Sequence, residues 1–150
     1  ITGKIIIWCK WLRSLHKIAD ALGDKAVSIY GALTEKQRTA ALDRFRFGDA
    51  QFLVATTSVG GHGLNLIEAG TVMFYESSFK YAERLQAEDR CHRIGQDKKV
   101  LYIDLVCSGS IDDRIKESLA QKRDAVEDFK HKVDLVKDDP DAMRELLEAI

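Results

Sequence analysis

Gln86, Arg90 and Arg93 stand at i, i+4 and i+7 within the string Gln86-Ala87-Glu88-Asp89-Arg90-Cys91-His92-Arg93-Ile94-Gly95-Gln96. If that segment is helical, all three share one face. Two guanidiniums one turn apart suit a polyanion, because each planar fork can grip phosphate oxygens. Taken alone, an Arg-x-x-Arg face is better read as solvated helix surface, so the chemistry has to be weighed with the rest of the chain.

A second candidate is the run from Thr56 to Leu66. Thr56, Thr57 and Ser58 supply hydroxyls and amides, and Gly60-Gly61-His62-Gly63-Leu64-Asn65 follows. A phosphate loop needs a Lys and a Ser or Thr directly after its glycines, and this cluster has neither. It also lacks dinucleotide-binding spacing, so the domain alone is not a complete nucleotide hydrolase. Donors at the carboxyl end of a strand do suit phosphate-backbone contacts, although a plain Thr/Ser turn fits equally well. Cys9, Cys91 and Cys107 are an odd count without paired spacing, which fits free thiols in a reducing compartment. The histidines are scattered, so no metal site is expected.

The elements that must position these residues alternate between strand and helix. Apolar runs at residues 4–8, 26–30, 51–55, 71–76 and 100–107 read as buried strands. Leu12, Leu15, Ile18 and Leu22 follow a helical period that Gly23 ends, and Thr34 with Gln37 forms a capping box opening a helix that stops at Gly48. A further helix is expected over residues 82–94. The pattern predicts an α/β domain with a mostly parallel sheet covered on both faces. Beyond it, Ser110 caps a long helix with an apolar stripe (Ile111, Ile115, Leu119, Val126, Phe129, Val133) that Lys122 interrupts, and Asp139-Pro140 opens a last one.

The chain has 150 residues, 45% hydrophobic and 31% charged, a balance that fits a folded domain with a proper core rather than a disordered segment. No apolar run approaches the ~18–20 residues of a membrane span. Residues 1–110 carry 15 basic against 12 acidic residues and residues 111–150 carry 8 against 12, so any nucleic-acid contact must come from local placement of charge. With its start at Ile1 and no signal-peptide pattern, the chain is expected to be an excised fragment.

Residues 54–66 (VATTSVGGHGLNL) and 86–96 (QAEDRCHRIGQ) together resemble motifs V and VI of the Swi/Snf family of superfamily-two helicase-like DNA translocases. Motif VI of that family runs close to QAxDRxHRIGQ. Residues 5–11 resemble motif IV, the Gly31, Thr34, Arg38 and Phe45 spacing resembles the next family segment, and residues 109–122 resemble the segment after motif VI. The likeness covers roughly residues 3–125. Departures include Phe79-Lys80-Tyr81 in place of Trp-Asn-Pro, Ser58 in place of Lys or Arg, and His62 between the glycines. With the compact link from Gly48 to Gln51, they place the chain nearer to short bacterial or phage members than to nuclear chromatin remodellers.

The resemblance implies a RecA-like, P-loop-NTPase-type three-layer sandwich over residues 1–110 with C-terminal bracing helices over 111–150. It implies the second lobe of a DNA-dependent ATPase, inactive without an N-terminal lobe that would carry the phosphate loop and most of the Mg²⁺ site. Arg90 and Arg93 would be arginine fingers, Arg93 ranked first, with Gln86 orienting in the same cleft. Gly61, Gly63 and Asn65 would line the ATP-side lobe interface, while Thr57 and Ser58, and less strongly Lys10 and Arg38, would face DNA. The implied partners are double-stranded DNA, read without sequence preference, and the other lobe, with no membrane. The setting would be cytoplasm for a bacterial or phage protein and nucleus for a eukaryotic one. Two alternatives stand beside this: a non-catalytic nucleic-acid or partner-binding module, and an RNA helicase lobe. The second is disfavoured because Gln96-Asp97 occupies the place of a further arginine pair.

Overall fold

The computed structural model describes residues 3–61, 64–91 and 99–148. Their elements are β1 (Lys4–Cys9), α1 (Leu12–Leu22), β2 (Ala26–Ile29), α2 (Glu35–Phe47), β3 (Phe52–Thr56), β4 (Ala69–Phe74), α3 (Tyr81–Asp89), β5 (Leu101–Asp104), α4 (Ile111–Val136) and α5 (Pro140–Glu148). Short 3-10 turns at Gly23–Lys25 and Thr57–Gly61 complete the order. The strands form one sheet, β2-β3-β1-β4-β5, with every pairing parallel. This is the α/β, RecA-like three-layer arrangement expected from the sequence.

The period-two geometry of a strand divides the central one between two cores. Ile5, Ile7 and Cys9 pack with Leu15 of α1 on one face. Ile6 and Trp8 join Phe45 of α2, the buried Val59, Leu64 and Leu66, and Ala87 of α3 on the other. Val59, Leu64 and Leu66, between β3 and β4, thus contribute to the covering layer.

Helix starts follow their local chemistry. Thr34 Oγ1 accepts the Gln37 amide at 3.3 Å while Gln37 Oε1 accepts the Thr34 amide at 2.9 Å, so the expected capping box forms. Ser110 Oγ accepts the Asp112 amide at 3.1 Å, and Asp139 Oδ1 accepts the amides of Asp141 and Ala142. At Gly23 the backbone takes φ +57°, which suits glycine as the residue that stops α1.

Four expectations are corrected. β4 begins at Ala69 and ends at Phe74 instead of covering 71–76. β5 is shorter than residues 100–107: after the Leu105 amide bonds the Phe74 carbonyl at 3.0 Å, the Cys107 amide is taken by the Asp112 carboxylate at 3.1 Å, which turns the chain into the cap of α4. α3 ends at Asp89, tightening to a Cys91 amide–Glu88 carbonyl bond of 3.0 Å; residues 92–94 of the expected helix lie outside the described residues. The stripe on α4 is also covered less than expected, since Ile115 is buried but Ile111 and Phe129 are exposed.

Candidate nucleotide and nucleic-acid interface

Parallel strands give the sheet two chemically different ends, and the predicted residues divide between them. Register pairs Cys9 with Thr56 and Trp8 with Phe74, so β1, β3 and β4 finish side by side. Lys10 and Thr57 therefore leave the sheet as neighbours, with Ser58 next along the chain. Arg38 lies in the first turn of α2, at the same carboxyl end. Lys10 and Ser58 are exposed, Thr57 and Arg38 half-buried. The Ser58 hydroxyl donates to Thr56 Oγ1 at 3.3 Å. Arg38 Nε is buried without a hydrogen-bond acceptor.

From Thr57 the chain must return to the amino end of the sheet, because β4 runs parallel to β3. Residues 57–68 make that crossing, on the order of 15 Å for a five-residue strand at about 3.3 Å per residue. The far end of the crossing is tied to the end of α3, where the Leu66 amide donates to the Arg90 carbonyl at 2.9 Å. Asn65 is exposed there, and its carbonyl accepts the Arg46 guanidinium, which also faces Glu68 at 3.5 Å. Gly61 closes the 3-10 turn in mid-crossing. Gly63 and Arg93 lie outside the described residues.

Gln86 and Arg90 do not present one solvent face. Gln86 is exposed, whereas Arg90 retains only 9% of its surface and sits beside the buried Cys91. Arg90 Nε has no hydrogen-bond acceptor among the described residues. Leaving such a donor buried and unmet costs about 1–3 kcal/mol. Arg46 Nε is likewise unbonded, yet it has Glu68 at ion-pair distance. Arg38 and Arg90, one at each end of the sheet, have no ion-pair partner among the described residues.

Two residues that organise the site were not singled out from sequence. Glu76 follows β4, and its carboxylate accepts the Lys10 amide at 3.2 Å, the Trp11 amide at 3.1 Å and the Ser14 hydroxyl at 2.6 Å. Arg84 lies 3.5 Å from the Phe74 ring centroid, bonds Asp104 through two nitrogens and bonds Glu88 through Nε. Burial pulls the Arg84 guanidinium towards neutrality, but the bonds to Asp104 and Glu88 outweigh it and raise its pKa. The available signal was weak: Glu76 is the first acid after an apolar run, and Arg84 precedes Glu88 by one helical turn.

Nucleophilic cysteine chemistry does not fit this environment. Burial pushes the thiols of Cys9 and Cys91 up to about 12, with smaller contributions from Glu76 and Glu68, so neither is a thiolate near neutrality. Among the described residues no three or more His, Cys, Asp or Glu side chains converge as a metal site. No helix among them is long and apolar enough to cross a membrane.

A five-stranded parallel sheet without a phosphate loop, carrying polar residues at both ends joined by a packed crossover, defines the second-lobe type of RecA-like domain. Residues 1–95 match the family model described as helicase conserved C-terminal domain. The chain belongs to that family, as a C-terminal helicase lobe of Swi/Snf type. It is 39% identical over 111 residues to the chromodomain-helicase-DNA-binding protein 3 homolog of Caenorhabditis elegans, covering 73% of this chain and 6% of that protein. It is 38% identical over 96 residues to the ISWI chromatin-remodeling complex ATPase ISW1 of Saccharomyces cerevisiae, covering 63% and 8%. The crystal structure of the C-terminal part of the Fun30 ATPase domain superposes with a TM-score of 0.70 at 29% identity, over 78% of this chain and 39% of that one. The chain thus spans only a small part of its curated relatives.

Proposed function

We propose that this lobe is the C-terminal half of an ATP-driven DNA translocase, with residues 1–110 forming the motor lobe and 111–150 a helical extension bracing it. One observation carries the reading. The Arg90 guanidinium is buried at the amino end of the sheet, and its Nε has no hydrogen-bond acceptor among the described residues. A cation held in that state suits an anion brought by another body, and a transferring phosphoryl group is such an anion.

In this reading the N-terminal lobe binds ATP and most of the Mg²⁺ coordination, and closes on the amino end of the present lobe. Arg93 and Arg90 neutralise charge developing on the γ-phosphoryl, Gln86 orients within the cleft, and Gly61, Gly63 and Asn65 shape the lobe interface. Thr57 and Ser58, with Lys10 and Arg38, hold a DNA phosphate backbone at the carboxyl end without reading sequence. The crossover of residues 57–68 joins the two sites, so closure on ATP displaces the DNA contact and reopening resets it. The protein would work in the cytoplasm of a bacterium or phage-infected host, or in the nucleus if eukaryotic.

The test is Arg93→Lys in the full-length protein. Lys keeps the charge but loses the fork, and an arginine finger is worth roughly 10³–10⁵ in rate. ATP binding should stay near wild type while DNA-stimulated hydrolysis falls by orders of magnitude; normal turnover would sink the assignment. The isolated chain should hydrolyse no ATP at any DNA concentration.

A further inference from the structure

We propose that Trp11 is a stacking platform for an unpaired DNA base, giving the motor a preference for DNA with an unstacked base over uninterrupted duplex. The inference rests on the lobe being a DNA motor and names its substrate class more narrowly.

The two tryptophans differ sharply. Trp8 is fully buried, while Trp11 keeps 59% of its surface exposed. Trp11 also occupies the N-cap of α1 without capping it: the side chain makes no cap hydrogen bond. Ser, Thr, Asp or Asn would normally serve there. The turn into the helix is instead held from afar by Glu76, whose carboxylate accepts from the Lys10 and Trp11 amides and the Ser14 hydroxyl. An indole at this position therefore has neither a core to fill nor a helix end to satisfy, yet its backbone is clamped.

Its place in the fold is where a ligand is expected. The connection after β1 leads towards β2 and β3, whereas the one after β4 leads to β5 on the opposite side. Diverging connections open a crevice at the carboxyl ends of the two strands. Glu76 follows the end of β4 by two residues and Trp11 the end of β1 by two, so both stand at that carboxyl edge, Trp11 one residue past Lys10, the neighbour of Thr57.

The charge fits a polyanion. Lys10 Nζ lies 4.8 Å from the Trp11 ring centroid, and Lys10 has no ion-pair partner among the described residues. A cation over one ring face leaves the other for a base, and the ammonium is placed for the flanking phosphate. Base faces in continuous duplex are covered by their neighbours. A stacking platform thus finds its partner at an end, a flap or a fork, with Thr57 and Ser58 beside it for the backbone.

The experiment compares binding of fluorescently labelled forked DNA and blunt duplex of equal length by the full-length protein, as wild type, Trp11→Ala and Trp11→Phe. Wild type should prefer the fork. Trp11→Ala should lose roughly ten-fold or more on the fork and less than two-fold on blunt duplex, and Trp11→Phe should recover most of the loss. An unchanged fork preference in Trp11→Ala overturns the proposal, as does an equal loss on both DNAs or a wild type without preference. Tighter binding of a single-stranded RNA of the same sequence overturns the commitment to DNA. The motor reading is read separately from DNA-stimulated ATP turnover: its absence beside an intact, Trp11-dependent fork preference refutes the motor alone.

Discussion

The Leu66 amide and the Arg90 carbonyl meet at 2.9 Å, joining the crossover between β3 and β4 to the end of α3. Leu66 is fully buried, and Arg90 nearly so. This buried bond fastens the crossover to the end of α3 at the amino end of the sheet.

Arg90→Met separates stability from function at that junction. Met keeps the length of the side chain and removes a buried Nε donor that has no acceptor among the described residues. The lobe should be as stable as wild type, or more stable by about 1 kcal/mol, while DNA-stimulated turnover of the full-length protein falls at least a hundred-fold. Urea unfolding and steady-state ATPase rates check this. A loss of several kcal/mol would mean that the guanidinium is a structural group.

Arg84 should behave in the opposite way. Its side chain is 15% exposed and joins α3 to β4 and β5 through Phe74, Glu88 and Asp104. Breaking a fully buried pair costs about 3–5 kcal/mol; because Asp104 is 42% exposed, we expect roughly 2 kcal/mol for Arg84→Ala. Arg84→Lys, which loses the fork and the flat stacking surface, should recover only part of it. The urea midpoint is the measure, and a change within experimental error would show the network to be decorative.

These cases also mark what was legible in the sequence. Caps at Thr34, Ser110 and Asp139 were readable because both partners lie within a few residues. Strands β1 to β4 were readable because a buried strand needs an apolar run, whichever strand it pairs with. Arg84 with Asp104, and Glu76 with Lys10, Trp11 and Ser14, were not, because those partners meet only once the sheet brings distant segments together. The expected strand over 100–107 failed for a related reason: apolarity continues past Asp104, but pairing stops where the Asp112 carboxylate takes the Cys107 amide. Motif chemistry assigned Arg90 to the candidate site but gave no hint of its burial, which comes from α3 ending at Asp89.

Glu76→Ala should loosen the start of α1. Three donors lose their acceptor, and the helix loses a carboxylate at its positive end. About 1–2 kcal/mol is the ordinary size of a lost cap. Glu76→Gln keeps one oxygen acceptor and should fall between Ala and wild type. Amide exchange at Lys10 and Trp11 should accelerate in Glu76→Ala well before that of β1; unchanged protection there would show that the clamp does not hold the turn.

The buried thiols set an alkaline limit on stability. Below about pH 9 Cys9 and Cys91 are protonated in folded and unfolded chains alike, so stability does not depend on pH through them. Above it the unfolded chain loses thiol protons, whereas burial holds Cys9 and Cys91 protonated in the fold up to about 12. The folded state then binds more protons, and stability declines as pH rises, by about 1.4 kcal/mol per pH unit for each thiol. Urea unfolding between pH 8 and 10, below the range in which the half-buried Tyr102 adds its own slope, should show this decline, and replacing either residue by Ala should remove about half of it. Native-state labelling gives an independent check. The exposed Cys107 should react at once with a disulfide reagent, and Cys9 and Cys91 only as fast as the domain opens. Three fast thiols in the native protein would refute the packing of β1 and the end of α3 described above.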